Sequence, residues 1–392
     1  MAFTLIINPG SSSKKYTLID AGRTVATYRF ERNEQQYEVC REHNGQGQLC
    51  AGITGTEYAS ALAYVLTSAV AEKIMPSAET ITRVGLRIVA PGTYFTTHRQ
   101  IDSEYRDRLQ AALVLAPLHI PHTLAELDEI LHLLPTAVVV GVSDSAFHST
   151  IPAYARTFAI EQSDMRTHDL YRFGYHGLSY ASIAKQLSSL LPPTASRVVV
   201  CHIGSGMSMC ALHNGVSIDT TMGFAPGSGL MMGARTGDLE PAVVLELMRI
   251  HHMKPLDMHT YLQTRGGFAG QTGESDFRHL LSRLEQGDEA VTAAFQQCVY
   301  RFQKTLGSYL VALGGLDAVV LTATAAERSP QLRALLLGGL ESIGIDLDED
   351  RNEMTIGRDG IISSQGSAVL TAVIRTNESA ELLAVTDSFQ VA

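Results

Sequence analysis

The chain has 392 residues, with 40 acidic against 30 basic side chains and a net charge of −10 at pH 7. A hydrophobic share of 45% and a charged share of 18% exclude disorder, collagen and coiled coil. The negative balance disfavours a phosphate backbone as partner, and no apolar run nears the ~20 residues of a membrane span.

A single core seldom grows beyond about 250–300 residues, so two domains are expected. Five cysteines without a C-x-x-C pair point to reduced thiols rather than disulfides or a zinc site. Phe3–Ile7 is too short for a signal peptide, so a cytoplasmic protein is expected.

In chain order, Phe3–Ile7, Arg83–Val89, Ala137–Val142, Arg197–Cys201 and Asp317–Leu321 read as strands whose Val and Ile content suits burial on both faces. Helical patterns lie between them. Thr123-Leu-Ala-Glu126 has the form of a capping box ahead of the stripe Leu124, Leu127, Ile130, Leu131 and Leu134. Glu289 to about Leu313 reads as one long helix, and Ser329-Pro330 offers a cap and an N1 proline to another running through Leu340. The alternation predicts an α/β protein. The boundary falls near 149–152, giving lobes at residues 1–150 and 151–376. Each lobe contains a strand, a Gly/Ser turn and a return strand, near Asn8–Ser13 and near His202–Gly206, which suggests duplicated lobes facing each other across a cleft.

The segment Asn8-Pro-Gly-Ser-Ser-Ser-Lys-Lys15 places hydroxyls, exposed N–H groups and lysine where phosphate oxygens could sit, without Walker A spacing. An ordinary polar hairpin explains it equally well. Arg87 stands in an otherwise apolar strand, which is costly unless it meets an anion. Asp144 follows a strand at its carboxyl end, where open α/β sheets place ligands. Met222–Gly233 is rich in glycine and methionine without period and delivers Arg235, whose planar fork suits carboxylate or phosphoryl oxygens. Pairing of Arg235 with Asp238 is the plainer alternative.

The order of these segments carries more than any one of them. Asn8-x-Gly-Ser-Ser-Ser-x-Lys15, Leu-Ala-Pro-Leu-His119, Asp144-x-Ala-Phe-His148, Gly-Tyr-His176-Gly, His-x-Gly-x-Gly206, Asp219-Thr-x-Met-Gly-Phe-x-Pro226, Gly-Leu-Met-Met-Gly-x-Arg235-x-Gly-Asp238 and Thr-Asn-Glu378 resemble the acetate kinase family over nearly the whole chain. The resemblance implies the two-lobed fold of actin, heat-shock chaperones and sugar kinases, with a central cleft and a C-terminal segment of about 377–392 returning to the first lobe. It also implies a homodimer and reversible phosphoryl transfer between ATP and acetate or propionate, with Mg²⁺ or Mn²⁺. By this match Asn8 and Glu378 help hold the metal, with Glu381 competing for that role. Arg87 and Arg235 grip carboxylate and phosphoryl oxygens, and His176 donates to the transferring group. His119 supports the substrate side, and Asp144 is an acid/base or orients an arginine. Val89, Leu118, Tyr175 and Pro226 match the acyl pocket. Ser11, Ser13, Lys15, the run His202, Ile203, Gly204, Ser205 and Gly206, and Asp276, Phe277 and Arg278 match the nucleotide and phosphate cradle.

Departures from the family pattern sharpen the reading. Gly85-Leu-Arg-Ile-Val-Ala-Pro-Gly92 lacks two histidines and a glycine usual there but keeps Arg87. Ile120 replaces an asparagine, Ser205 another, and Tyr175 a phenylalanine, adding a hydroxyl to an apolar wall. The adenosine loop Gly-Gly-Ile-Gly-Glu-Asn reads Ala323, Thr324, Ala325, Ala326, Glu327 and Arg328, so side chains are expected where glycine backbone faces the nucleotide. Two other readings therefore stand beside an ATP-dependent kinase: a member using phosphate, pyrophosphate or another nucleotide, and a non-catalytic binder of acyl phosphates.

Overall fold

The computed structural model describes residues 2–10, 13–33, 36–43, 47–117 and 120–390. Ser11, Leu118 and His119 lie outside them. The chain divides into two units, Met1–Ala146 with Glu378–Ala392, and Phe147–Asn377.

The first unit is built on a sheet of β1 (Phe3–Pro9), β2 (Ser13–Asp20), β3 (Arg23–Asn33), β4 (Gln36–His43), β5 (Leu49–Ile53), β6 (Ile81–Ile88), β7 (Arg99–Gln100) and β8 (Val138–Ser143). Their order is β5-β4-β3-β2-β1-β6-β8-β7. The apolar runs of β1, β6 and β8 are the parallel centre, and Leu5, Ile7, Val84, Leu86, Val140 and Val142 are wholly buried there. Parallel strands covered on both faces need this continuous apolar character.

The helix Ile120–Leu133 starts three residues before the expected cap, so Thr123 lies inside it and no capping box forms. Pro121 is tolerated in its first turn because those N–H groups have no helical partner. Glu126 is drawn inward instead, where it accepts from the Tyr16 hydroxyl at 2.7 Å and pairs with Lys14 at 3.3 Å. Leu131 is exposed, outside the buried stripe of Leu124, Leu127 and Ile130.

The second unit carries β9 (Arg197–Ile203), β10 (Met207–His213), β11 (Val216–Thr220), β12 (Ala318–Thr322), β13 (Gly360–Ile361) and β14 (Leu370–Val373), ordered β11-β10-β9-β12-β14-β13. This repeats the first sheet. In each, an antiparallel three-strand meander continues into two parallel strands, β3-β2-β1-β6-β8 against β11-β10-β9-β12-β14. Asp288 caps the helix Glu289–Ala312 by accepting from Ala290 and Val291 N–H, and Val291, Phe295, Cys298, Phe302, Leu306 and Tyr309 bury one stripe of it. Ser329 caps the helix Pro330–Leu337, which stops at Gly338-Gly339 rather than running to Leu340 because Gly339 turns to φ +80°.

Reduced thiols are found at Cys201, Cys210 and Cys298, all buried, and burial pushes the Cys298 thiol up to about 12. Cys40 and Cys50 instead form a disulfide, contrary to expectation. They are register partners on β4 and β5, and this pairing brings together cysteines that sequence spacing does not mark. The cysteines thus no longer argue for a reducing compartment. Among the described residues, no helix is long and apolar enough to cross a membrane.

Candidate active site

In the first unit, the carboxyl ends of β1, β6 and β8 meet. Asn8 and Lys15 are register partners in the β1–β2 hairpin, where Gly10 N–H donates to Ser13 O at 2.7 Å. A Cβ on Gly10 would stand 2.8 Å from that same oxygen, so glycine fits there. Arg87, near the end of β6, donates from Nη2 to Asp144 Oδ2 at 3.0 Å. Its Nη1 donates to Asn8 Oδ1 at 3.1 Å and to Glu378 Oε2 at 3.4 Å. Asn8 Nδ2 also donates to Glu378, at 3.2 Å, and Lys15 Nζ donates to Ser379 Oγ at 3.1 Å. Burial opposes the Arg87 charge, but Asp144 and Glu378 outweigh it and raise its pKa. The Lys15 pKa is lowered, first by burial and then by Arg29.

Five expected residues therefore form one cluster: Asn8, Lys15, Arg87, Asp144 and Glu378. Among the described residues Arg87 Nε is buried with no partner, a donor left for a ligand oxygen. Asn8 and Glu378 offer oxygen donors without sulfur or imidazole, a set that fits a hard divalent cation and its water shell. Glu378, rather than Glu381 one helical turn on, is the acid that meets Asn8. Val89 is half-buried just beyond β6.

In the second unit, the turn between β9 and β10 is Gly204-Ser205-Gly206, closed by Gly204 N–H donating to Gly206 O at 3.0 Å. A Cβ on Gly206 would lie 3.2 Å from His176 Nε2 and 3.7 Å from Arg235 Nη1, so histidine, arginine and turn converge. His176 takes a left-handed backbone, φ 58°, ahead of the helix Gly177–Gln186. Its ring stacks on His202 with centroids 4.0 Å apart, and His202 Nδ1 bonds Ser179 Oγ at 2.8 Å. His148 braces the preceding residue. Its Nε2 lies 3.0 Å from Tyr175 O, which can only accept, so that nitrogen carries the hydrogen and Nδ1 faces Ser217 Oγ.

Arg235 lies on an irregular segment between β11 and the helix Pro241–Ile250. Its Nη1 donates to Pro226 O at 3.0 Å. Asp238 accepts from Gly229 N–H at 2.8 Å and returns its own N–H to Gly229 O, closing the loop at its base. The Tyr175 hydroxyl donates to Phe224 O at 2.7 Å, so it is tied to backbone.

Ala323, after β12, keeps φ +69°, a conformation that glycine takes without strain, and it opens the short helix Thr324–Arg328. The side chains of Ala323 and Ala326 turn inward, so only Thr324, Arg328 and part of Ala325 project. Glu327 Oε1 holds the turn by accepting from Ala323 N–H at 2.9 Å and Thr376 N–H at 3.1 Å. Ile203 is buried, and Phe277 is a core ring packed on Phe268 and Phe295. These two can offer a ligand backbone only. Arg278 reaches back to Asp276, and that bond lowers the Asp276 pKa.

Sequence reasoning missed Ser208 and Ser179, which bond the two stacked histidines, and Tyr180, which bonds Ser208. It also missed Arg333, wholly buried, which donates to Ala326 O and to the carbonyls of Asn352 and Thr355. Hairpin register held a signal for Ser208, since it pairs with His202.

Residues 3–384 match the model of the acetokinase family. The chain is 36% identical over 383 residues to an acetate kinase from Desulforamulus reducens, covering 95% of this chain and 96% of that one. Among solved structures it is similar to a propionate kinase from Francisella tularensis, with TM-score 0.90 and 27% identity over 100% of both chains. It is also similar to Porphyromonas gingivalis acetate kinase, with TM-score 0.86 and 29% identity over 99% of both chains. The duplicated α/β topology is accordingly that of the actin, heat-shock chaperone and sugar-kinase class, and the chain belongs to the acetokinase family.

Proposed function

We propose that this chain transfers the terminal phosphoryl group of ATP to acetate or propionate, reversibly, giving acyl phosphate and ADP. The observation that carries this reading is the convergence of His176 Nε2 and Arg235 Nη1 on the Gly204–Gly206 turn. Backbone N–H groups suit the phosphates, and fixed donors suit the charge that spreads over the transferring oxygens. A carboxylate oxygen attacks phosphorus as the bond to the ADP oxygen breaks. That nucleophile is already ionised near neutral pH, so Asp144 need not act as a base; it orients Arg87. Arg87, with its unpartnered Nε, grips the carboxylate, and Lys15 serves phosphate oxygens. Asn8 and Glu378 would hold Mg²⁺, or Mn²⁺ in its place, and the metal would neutralise phosphate charge. ATP is the donor in this reading because Ala323 keeps the turn's course and Ala326 faces inward, which leaves the outer side of the turn to the nucleotide. The cytoplasm, where ATP is supplied, is the matching compartment.

Purified protein given Mg-ATP and a panel of short carboxylic acids, read out as acyl phosphate, is the test. Formation with acetate or propionate supports the reading, and none at saturating ATP sinks it. The reading includes a homodimer. The helix Pro241–Ile250 has no buried residue and exposes Val243, Leu245 and Ile250 around its circumference, apolar surface suited to a second copy. Light scattering should give twice the chain mass, and Leu245→Asp should give the chain mass; a parent protein of single mass overturns this part.

A further inference from the structure

Behind His176 runs a buried chain of hydroxyls. Its Nδ1 lies 2.8 Å from Ser208 Oγ, and Ser208 Oγ lies 2.5 Å from the Tyr180 hydroxyl. Ser208 and Tyr180 are both wholly buried. Tyr180 sits one helical turn below His176, its N–H donating to His176 O at 3.0 Å, which sets the phenol beneath the imidazole. Ser208 stands on β10 opposite His202, so one hairpin supplies the ring stacked on the His176 face and the hydroxyl on its Nδ1 edge.

We propose that Ser208 and Tyr180 are positioning residues that hold His176 as the neutral tautomer with hydrogen on Nε2. In this tautomer Tyr180 donates to Ser208 across their 2.5 Å contact, Ser208 donates to Nδ1, and Nε2–H stands on the edge that faces the Gly206 turn and Arg235. The hydrogen bond at one imidazole nitrogen decides which nitrogen carries the proton. With Nδ1 as acceptor, the ring presents a donor to a transferring phosphoryl oxygen. Without Ser208 it could equally present a lone pair, which would repel that oxygen. No covalent step or net proton transfer is involved. The inference rests on the reading of His176 as a donor to the transferring group.

The test has one arm independent of turnover. Long-range ¹H–¹⁵N spectra of the ligand-free protein, with the His176 ring assigned by comparison with His176→Gln, should show an Nε2–H tautomer in the parent. In Ser208→Ala they should show a mixture or the Nδ1–H form. Kinetically, Ser208→Ala and the isosteric Tyr180→Phe should lower kcat while KM for ATP and carboxylate holds. For Ser208→Ala the loss should be about 10- to 100-fold, the size seen when the group behind a metal-binding imidazole is removed. In a His176→Ala background neither change should cost more, because both act through the ring. An unchanged tautomer in Ser208→Ala, or losses that add to that of His176→Ala, would overturn the proposal. A parent protein without turnover overturns the functional reading, and the spectra then decide this one alone.

Discussion

Arg235→Ala lowers kcat by ~10²–10³-fold and leaves the carboxylate KM nearly unchanged. The magnitude is that of deleting one fixed donor aimed at charge that develops in the transition state. Arg235 qualifies because its approach is set before any substrate arrives. Nη1 is held on Pro226 O, and the segment that carries it is closed at the base by the reciprocal Gly229–Asp238 bonds. Arg235→Lys recovers little, since an ammonium keeps the charge but loses the planar fork. Steady-state rates of acyl phosphate formation decide the matter, and an alanine variant within twofold of the parent would exclude the role.

Arg87→Ala has the largest expected effect on stability and also weakens carboxylate binding. Arg87 and Asp144 have side-chain exposures of 16% and 1%, and Glu378 lies at 18%. Removing this cation leaves two acids in one enclosed cluster, with the direct Arg87 pairs to Asp144 and Glu378 gone and Lys15 as the cluster's remaining cation. Breaking a buried pair from one side costs on the order of 3 kcal/mol or more. Chemical denaturation should show that loss, and Arg87→Ala with Asp144→Asn should regain part of it, because the second change removes one of the two stranded charges. Equal stability of Arg87→Ala and the parent would show that the cluster contributes nothing to the fold.

The parallel strands were legible because burial on both faces leaves an apolar run, and the long helix because its helical pattern runs unbroken from Glu289 to about Leu313. Thr123–Glu126 misled because Tyr16 and Lys14, more than a hundred residues away, claim Glu126 for the core. The cluster of Asn8, Arg87, Asp144 and Glu378 was legible only through motif order. No spacing rule joins residues 8 and 378; the packing of the C-terminal helix Glu378–Asp387 on β1 and β6 does so. Ser208 and Tyr180 carry no motif of their own, since a hydroxyl becomes informative only when something buried lies beside it. Arg333 is an extreme case, a buried cation held by carbonyls and an amide, which reads in sequence as an ordinary helical surface residue.

The Cys40–Cys50 bond settles a question of alignment. β5 is the outermost strand of its sheet and has no buried residue, so the usual force that fixes a strand's register, one face needing to be inside, is absent there. A slip of one residue would turn Cys50 to the opposite face, and the bond forbids it. An unpinned outer strand with open N–H and C=O groups is a template for chains that do not belong to the molecule. The disulfide thus holds β5 on β4 in a single register, so the sheet ends in a strand that cannot slide.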